Sequence, residues 1–181
     1  MAHITVSKDI PGIRSLALFR PETGKPLYEL AQVLLRGEST LSPAERELIA
    51  AYVSSLNRCR FCADSHSAAA RSLYGQEGKL VTAVIQDRDT AEISAKLKTL
   101  LQIAEKVQQS GKAVTPEDIE AAKKEGVTDQ ELHDTVLIAA AFCMFNRYVD
   151  GLDTWTPTDP KIYKEMGKRL ANKGYVLNKK S

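Results

Sequence analysis

Two cysteines and a histidine fall within residues 57–66, NRCRFCADSH, and little else in the chain is as chemically pointed. On a helix, Cys59 and Cys62 occupy neighbouring positions of one face, about 5–6 Å apart, which is within the reach of a disulfide that can open and close without large backbone movement. His66 lies one turn beyond Cys62 on the same face, where an imidazole can take a thiol proton or stabilise the thiolate. A helix start adds free N–H groups and a dipole that favour an anion. The two influences point to different sulfurs. Proximity to the helix start favours Cys59 as the more acidic thiol, the i, i+4 histidine favours Cys62, and spacing alone leaves both open. Asp64 is expected to point away from this face.

The preceding helix offers an acid. Glu47 heads a row of small residues, Ala50, Ala51 and Ser54, which would let another helix approach closely along that side. If the carboxylate faces His66, then Glu47, His66 and the thiols form a proton relay. Two other readings use the same residues. The cysteines are ordinary core residues in one. In the other, C-x-x-C-x-x-x-H with Glu47 supplies four zinc ligands, although structural zinc prefers more sulfur and the only other histidines are His3 and His133. Cys143, in the apolar run AAAFCMFNR, is expected in the core, and His133, among acids, in solvent. Asn146, Arg147 and Asp150 are read as capping, pairing or interface residues. Arg58 and Arg60 are read as exposed and stay outside the site.

These residues need a helical frame, and the punctuation of the chain supplies one. SPAERELIAAYVSSLN (42–57) opens with Ser42, Pro43 and Glu45, a capping box with proline at the first helical position. TDQELHD opens a second box at Thr128 and Glu131, starting a helix over 128–151. Further helices are expected at 26–37, 59–75, 77–87, 90–111, 115–126 and 159–174, several ending at glycine. No stretch alternates with a strand's period. The expected fold is therefore all-α, a single domain of seven to eight helices over 27–181, with the chemistry on the helix pair 42–75 and an irregular arm over 1–26.

Composition excludes several classes. A length of 181 residues suits one domain with a full core, and 43% hydrophobic with 27% charged residues is ordinary for a globular chain rather than a disordered one. A net charge of +2 gives no concentrated basic face for nucleic acid or anionic lipid, and the lysines near the C-terminus read as a solvated tail. No run of about 18 apolar residues appears and no leader peptide is evident, so a cytoplasmic protein is expected, without membrane or nucleic-acid partners. In a reducing compartment a close cysteine pair is catalytic or metal-binding more often than structural, and an odd total of three cysteines argues against a disulfide scaffold.

The run SPAERELIAAYVSSLNRCRFCADSH resembles the signature of the alkylhydroperoxidase D-like proteins of the carboxymuconolactone decarboxylase superfamily, and is most similar to the peroxidase-related branch. A glutamate stands twelve residues before a cysteine that begins C-x-x-C-x-x-x-H, and Glu47, Cys59, Cys62 and His66 fit one by one. The likeness extends from FRPETGKPL to NRYVDGL. It implies an all-helical fold, a homo-oligomer, a hydroperoxide substrate, a thiol or lipoyl-type reductant and no cofactor. It also implies that Cys62 is the peroxidatic thiol, that Cys59 resolves its sulfenic acid into a disulfide, and that Glu47 and His66 relay protons. Alkylhydroperoxidase D itself carries a histidine just before the second cysteine; here that position is Phe61, so the relay is one member shorter. Alternatives are a metal-binding or redox-sensing helical module without turnover, and a decarboxylase-like enzyme of the same superfamily, whose members typically lack the cysteine pair.

Overall fold

The computed structural model describes residues 2–176, so the lysine tail expected at the C-terminus lies outside the described residues. Within them are nine α-helices and no strand: α1 (Ile13–Phe19), α2 (Pro21–Arg36), α3 (Pro43–Leu56), α4 (Arg60–Tyr74), α5 (Lys79–Gln86), α6 (Ala95–Gln109), α7 (Pro116–Lys124), α8 (Asp129–Gly151) and α9 (Pro160–Lys173). None of these is long and apolar enough to cross a membrane.

Both capping boxes form as their residue types require. The Ser42 hydroxyl accepts the Glu45 N–H at 3.2 Å while the Glu45 carboxylate accepts the Ser42 N–H at 2.8 Å, and Thr128 and Glu131 repeat the exchange at 3.2 and 2.8 Å. Two starts differ from expectation. Helix α6 begins at Ala95, with Ser94 as cap, because the Asp87 side chain accepts the N–H groups of Asp89 and Thr90 and holds the preceding residues in a turn.

The second difference lies near the N-terminus. The arm expected to be irregular carries α1, and α2 starts at Pro21 instead of Pro26, so that Pro26 stands inside a helix. An interior proline costs about 3 kcal/mol in isolation. Packing offsets it here: Gly24 lies so close to α1 that a Cβ would meet the Ala17 carbonyl oxygen at 2.5 Å, and the first turn of α2 is pinned there. Tertiary contact overrides the local signal.

Helix α3 is the hub, buried along nearly its whole length from Ala44 to Ser54. Leu48, Ile49 and Val53 pack with Leu100, Leu101 and Ile103 of α6 and Ile138 and Phe142 of α8 into the main core. Truncating such a leucine to alanine costs about 2–5 kcal/mol. Helix α4 packs against both α3 and α9. The contact with α9 is backbone to backbone, since a Cβ on Gly167 would meet the Ala68 carbonyl at 2.5 Å. A second, smaller cluster joins Cys59, Phe61, Cys62, Val149 and Tyr163. Gly12, in the left-handed region at φ 55°, lies directly against the Phe61 ring, where no side chain would fit.

Candidate functional site

The chain leaves α3 through Arg58, at φ 59°, and enters α4 with Cys59 as N-cap. The Ala63 N–H donates to the Cys59 carbonyl at 2.9 Å, the first bond of the helix, and Cys62 is the third helical residue. The cysteine pair thus straddles the helix start instead of lying within the helix. Both thiols are reduced and buried.

Their environments differ. The hydrogen bond from its thiol to Cys62, together with burial, pushes Cys59 far above the usual thiol range, and the nearby Asp150 carboxylate adds to the effect. At Cys59 the influence of the helix start, one of the two left open by spacing, is outweighed by the neighbouring Cys62 thiol and by burial.

Glu47, fully buried on α3, meets His66 of α4: its Oε2 lies 2.7 Å from Nδ1. The small residues Ala50, Ala51 and Ser54 are completely buried, as the close approach of α4 and the other neighbours demands. The other carboxylate oxygen accepts from Arg36 at 2.6 Å and from the Tyr175 hydroxyl at 2.7 Å. Burial raises the Glu47 carboxyl, but the His66 charge and hydrogen bond, Arg36 and Tyr175 outweigh it and hold the group below the usual carboxylate range. Tyr175 is pushed well above the usual phenol range by burial and by the adjacent Glu47 charge. It therefore donates to the carboxylate and keeps its proton. An ionised Glu47 in turn fixes the His66 proton on Nδ1, donating to Oε2, and leaves Nε2 as the basic atom. The imidazole is further clamped between the edge of Phe142, at 4.5 Å between centroids, and the Tyr175 ring stacked at 6.0 Å.

A cavity of about 320 Å³ opens beside this cluster. Cys62 and His66 line it together with Phe61 and Ser65 of α4, whereas Cys59 and Glu47 are not among its walls. The position where alkylhydroperoxidase D has a histidine thus contributes apolar wall, with Phe61 packed against Tyr163 at 6.4 Å.

Arg36 and Tyr175 escaped sequence reasoning. Arg36 sat in plain view as a cation ending a helix, where the dipole explains it without any further partner. Tyr175 follows the C-capping Gly174 and shares no register with the motif. Its N–H is tied to the Gln32 side chain at 2.7 Å, which turns the ring back into the molecule.

The remaining candidates are peripheral. Asp64 is half-buried and pairs with Arg60 at 3.6 Å. His133 is 69% exposed, as expected. Cys143, expected in the core, is only half-buried, with its sulfur 3.5 Å from the Asn57 amide nitrogen, because α8 turns that face partly outward. Asn146 is buried and bonds Ser54 and Asn57, bracing α8 against α3. Among the described residues no group of three or more His, Cys, Asp and Glu side chains is placed to hold a metal ion. The four-ligand zinc set is not assembled, since the Glu47 oxygens are taken by His66, Arg36 and Tyr175.

A family model, the carboxymuconolactone decarboxylase family, matches residues 21–106, which include Glu47, Cys59, Cys62 and His66. A peroxidase-related protein from Silicibacter sp. TM1040 superposes with a TM-score of 0.77 at 27% identity, over 86% of this chain and 79% of that one. Together, the family match over residues 21–106 and this likeness support the carboxymuconolactone decarboxylase superfamily. The fold is of the alkylhydroperoxidase D type: an alkylhydroperoxidase AhpD core, an uncharacterized peroxidase-related protein from Ralstonia eutropha JMP134, superposes with a TM-score of 0.77 at 24% identity, covering 88% of this chain and 82% of that one. A protein of unknown function from Agrobacterium tumefaciens shares the fold with a TM-score of 0.71 at 20% identity, over 82% of this chain and 99% of its own. No curated protein sequence matches the chain.

Proposed function

We propose that this protein is a thiol-dependent peroxidase in which Cys62 attacks the peroxide, Cys59 resolves the product, and His66 with Glu47 moves the protons. One observation carries the reading: Cys62 and His66 share the wall of one cavity, while Cys59, completely buried in the same cluster as Cys62, is not part of that wall.

The chemistry balances on these groups. The Cys62 proton passes to Nε2 of His66, whose positive charge is met by Glu47. The Cys62 thiolate attacks the outer oxygen of a hydroperoxide, the O–O bond breaks, and the departing alkoxide takes the imidazolium proton and leaves as an alcohol. Cys62 is then a sulfenic acid. Cys59 attacks that sulfur, the S–S bond forms, the S–O bond breaks, and the hydroxide leaves as water with the Cys59 proton. A dithiol or lipoyl-type reductant restores both thiols by exchange.

Cys59 is suited to the second step. Held as a thiol in the resting protein, it does not compete for the peroxide, and it is already in contact with the sulfur it must reach. Replacing Cys62 by serine should abolish peroxide consumption. Replacing Cys59 by serine should let the sulfenic acid accumulate after one equivalent of peroxide, detected by mass spectrometry after capture with dimedone. Undiminished turnover in both variants would overturn the assignment.

A further inference from the structure

We infer that a groove between α4 and α9, two helices whose other faces line the cavity, docks an extended acidic segment of a partner protein; this goes beyond the peroxidase reading and does not rest on it. The groove encloses about 530 Å³, well within the range of ligand sites. Arg60, Asp64, Ala68 and Arg71 line it from α4, and Pro160, Lys164 and Lys168 from α9, so each helix presents a single stripe at helical spacing.

Charge is the first ground. Four cations and one acid stand on this wall among the described residues. Asp64 pairs with Arg60 at 3.6 Å, and Arg71 donates to the neutral Thr82 hydroxyl at 3.1 Å. Lys164 and Lys168 are exposed and have no carboxylate on the wall left to answer them, so positive charge stands in excess even with Arg71 set aside. Between the two rims lie half-buried Ala68 and the buried Tyr163. Beside such apolar surface an ammonium and a carboxylate are screened less than in open water.

Spacing chooses the occupant. Lys164 and Lys168 are about 6 Å apart along their helix at 1.5 Å per residue, and alternate residues of an extended chain stand about 6.6–6.8 Å apart on one side. Acids at i and i+2 thus reach both lysines, while i+1 and i+3 turn toward the arginine rim on α4. Arg60 to Arg71 spans about 17 Å, the length of about five extended residues. Phosphate groups are served less well. Asp159 closes the start of α9 by accepting the Lys161 N–H at 2.9 Å, which puts a carboxylate where a phosphate would seek free amides. Tyr163 packs on Phe61 at 6.4 Å and donates its hydroxyl to the Pro157 carbonyl at 2.9 Å, so its ring is not free for a base to stack on.

The test uses hexaglutamate carrying a fluorophore, followed by anisotropy at low salt. It should bind the wild type and bind Lys164→Glu/Lys168→Glu about tenfold more weakly, the sum of two modest surface contacts turned to repulsion. Lys112→Glu/Lys124→Glu, with the same change of net charge on exposed residues outside the groove, should bind as the wild type does. In the unmodified protein, hexaglutamate should protect Lys164 and Lys168 from acetylation, read by mass spectrometry, and leave Lys112 reactive. Equal weakening in the two double variants, or equal acetylation of all three lysines, overturns the inference. Displacement of the peptide by an equal concentration of a six-nucleotide thymidylate strand overturns it in favour of nucleic acid. None of these measurements uses peroxide, so the groove and the peroxidase reading stand or fall separately.

Discussion

Two glutamates of this molecule look alike until their neighbours are compared. Glu47 on α3 and Glu131 on α8 are 0% and 2% exposed, and each stands on a helix opened by a capping box. Burial raises both carboxyls, and partners outweigh it in both, so each is held below the usual range. Glu131 is closed off: Lys96 donates to one oxygen at 2.7 Å and the Thr128 N–H to the other at 2.8 Å. An ammonium and a backbone amide keep their protons at neutral pH. Glu47 instead touches an imidazole, a side chain whose ordinary titration spans neutrality, and that imidazole opens onto a cavity shared with a thiol. A buried, ionised acid is therefore not by itself a sign of chemistry. The sign is a route by which a proton can leave.

The contrast is sharpest under neutralisation of each acid. Glu47→Gln should lower kcat/KM for peroxide by about a hundredfold or more, since relay and tautomer are both lost. It should also lower stability by about 3–5 kcal/mol, because Arg36, largely buried, loses its counter-charge. Glu131→Gln should cost about 1–2 kcal/mol in a urea titration while activity per folded molecule stays at the wild-type value. Equal loss of activity in the two variants would erase the distinction.

A smaller effect is expected from Tyr175→Phe. Removing the hydroxyl leaves Glu47 Oε1 with Arg36 alone, for a stability loss of about 1 kcal/mol. The acid limb of the pH–rate profile should move upward, because one of the groups favouring ionised Glu47 is gone. A profile superposable on the wild type would reduce the residue to packing.

The smallest effect brings the two acids back together. Each has a lower pKa folded than unfolded, so its contribution is complete above the ordinary carboxylate range and is lost as pH falls through the folded value. Both glutamine variants should show a flatter loss of stability on acidification than the wild type. A slope steepened by either would reverse the sign assigned here.

Local spacing explains what could be read in advance. Cys62 and His66 are one turn apart and Ser42 to Glu45 three residues, so helix geometry alone brings them together, and Glu47 follows from the register of its helix. Arg36 and Tyr175 meet Glu47 across 11 and 128 residues of chain, and only the packing of α2, α3 and the end of α9 brings them there. The misplaced start of α2 has the same origin, since the Gly24 contact with Ala17 belongs to the fold and not to the propensity of PETGKP. Spacing left the choice between the two thiols open, because position along a helix says nothing of which way an N-cap sulfur turns.

Gly174, at φ 63°, holds a left-handed turn that favours glycine, beside the Gln32 side chain, and it is this turn that delivers Tyr175 to the carboxylate. Clipping the chain just before it would leave every helix intact and still strip the imidazole of its lid. Proteolysis or a bulky appendage at that edge would thus reach the Glu47–His66 pair from a point far in sequence from either sulfur.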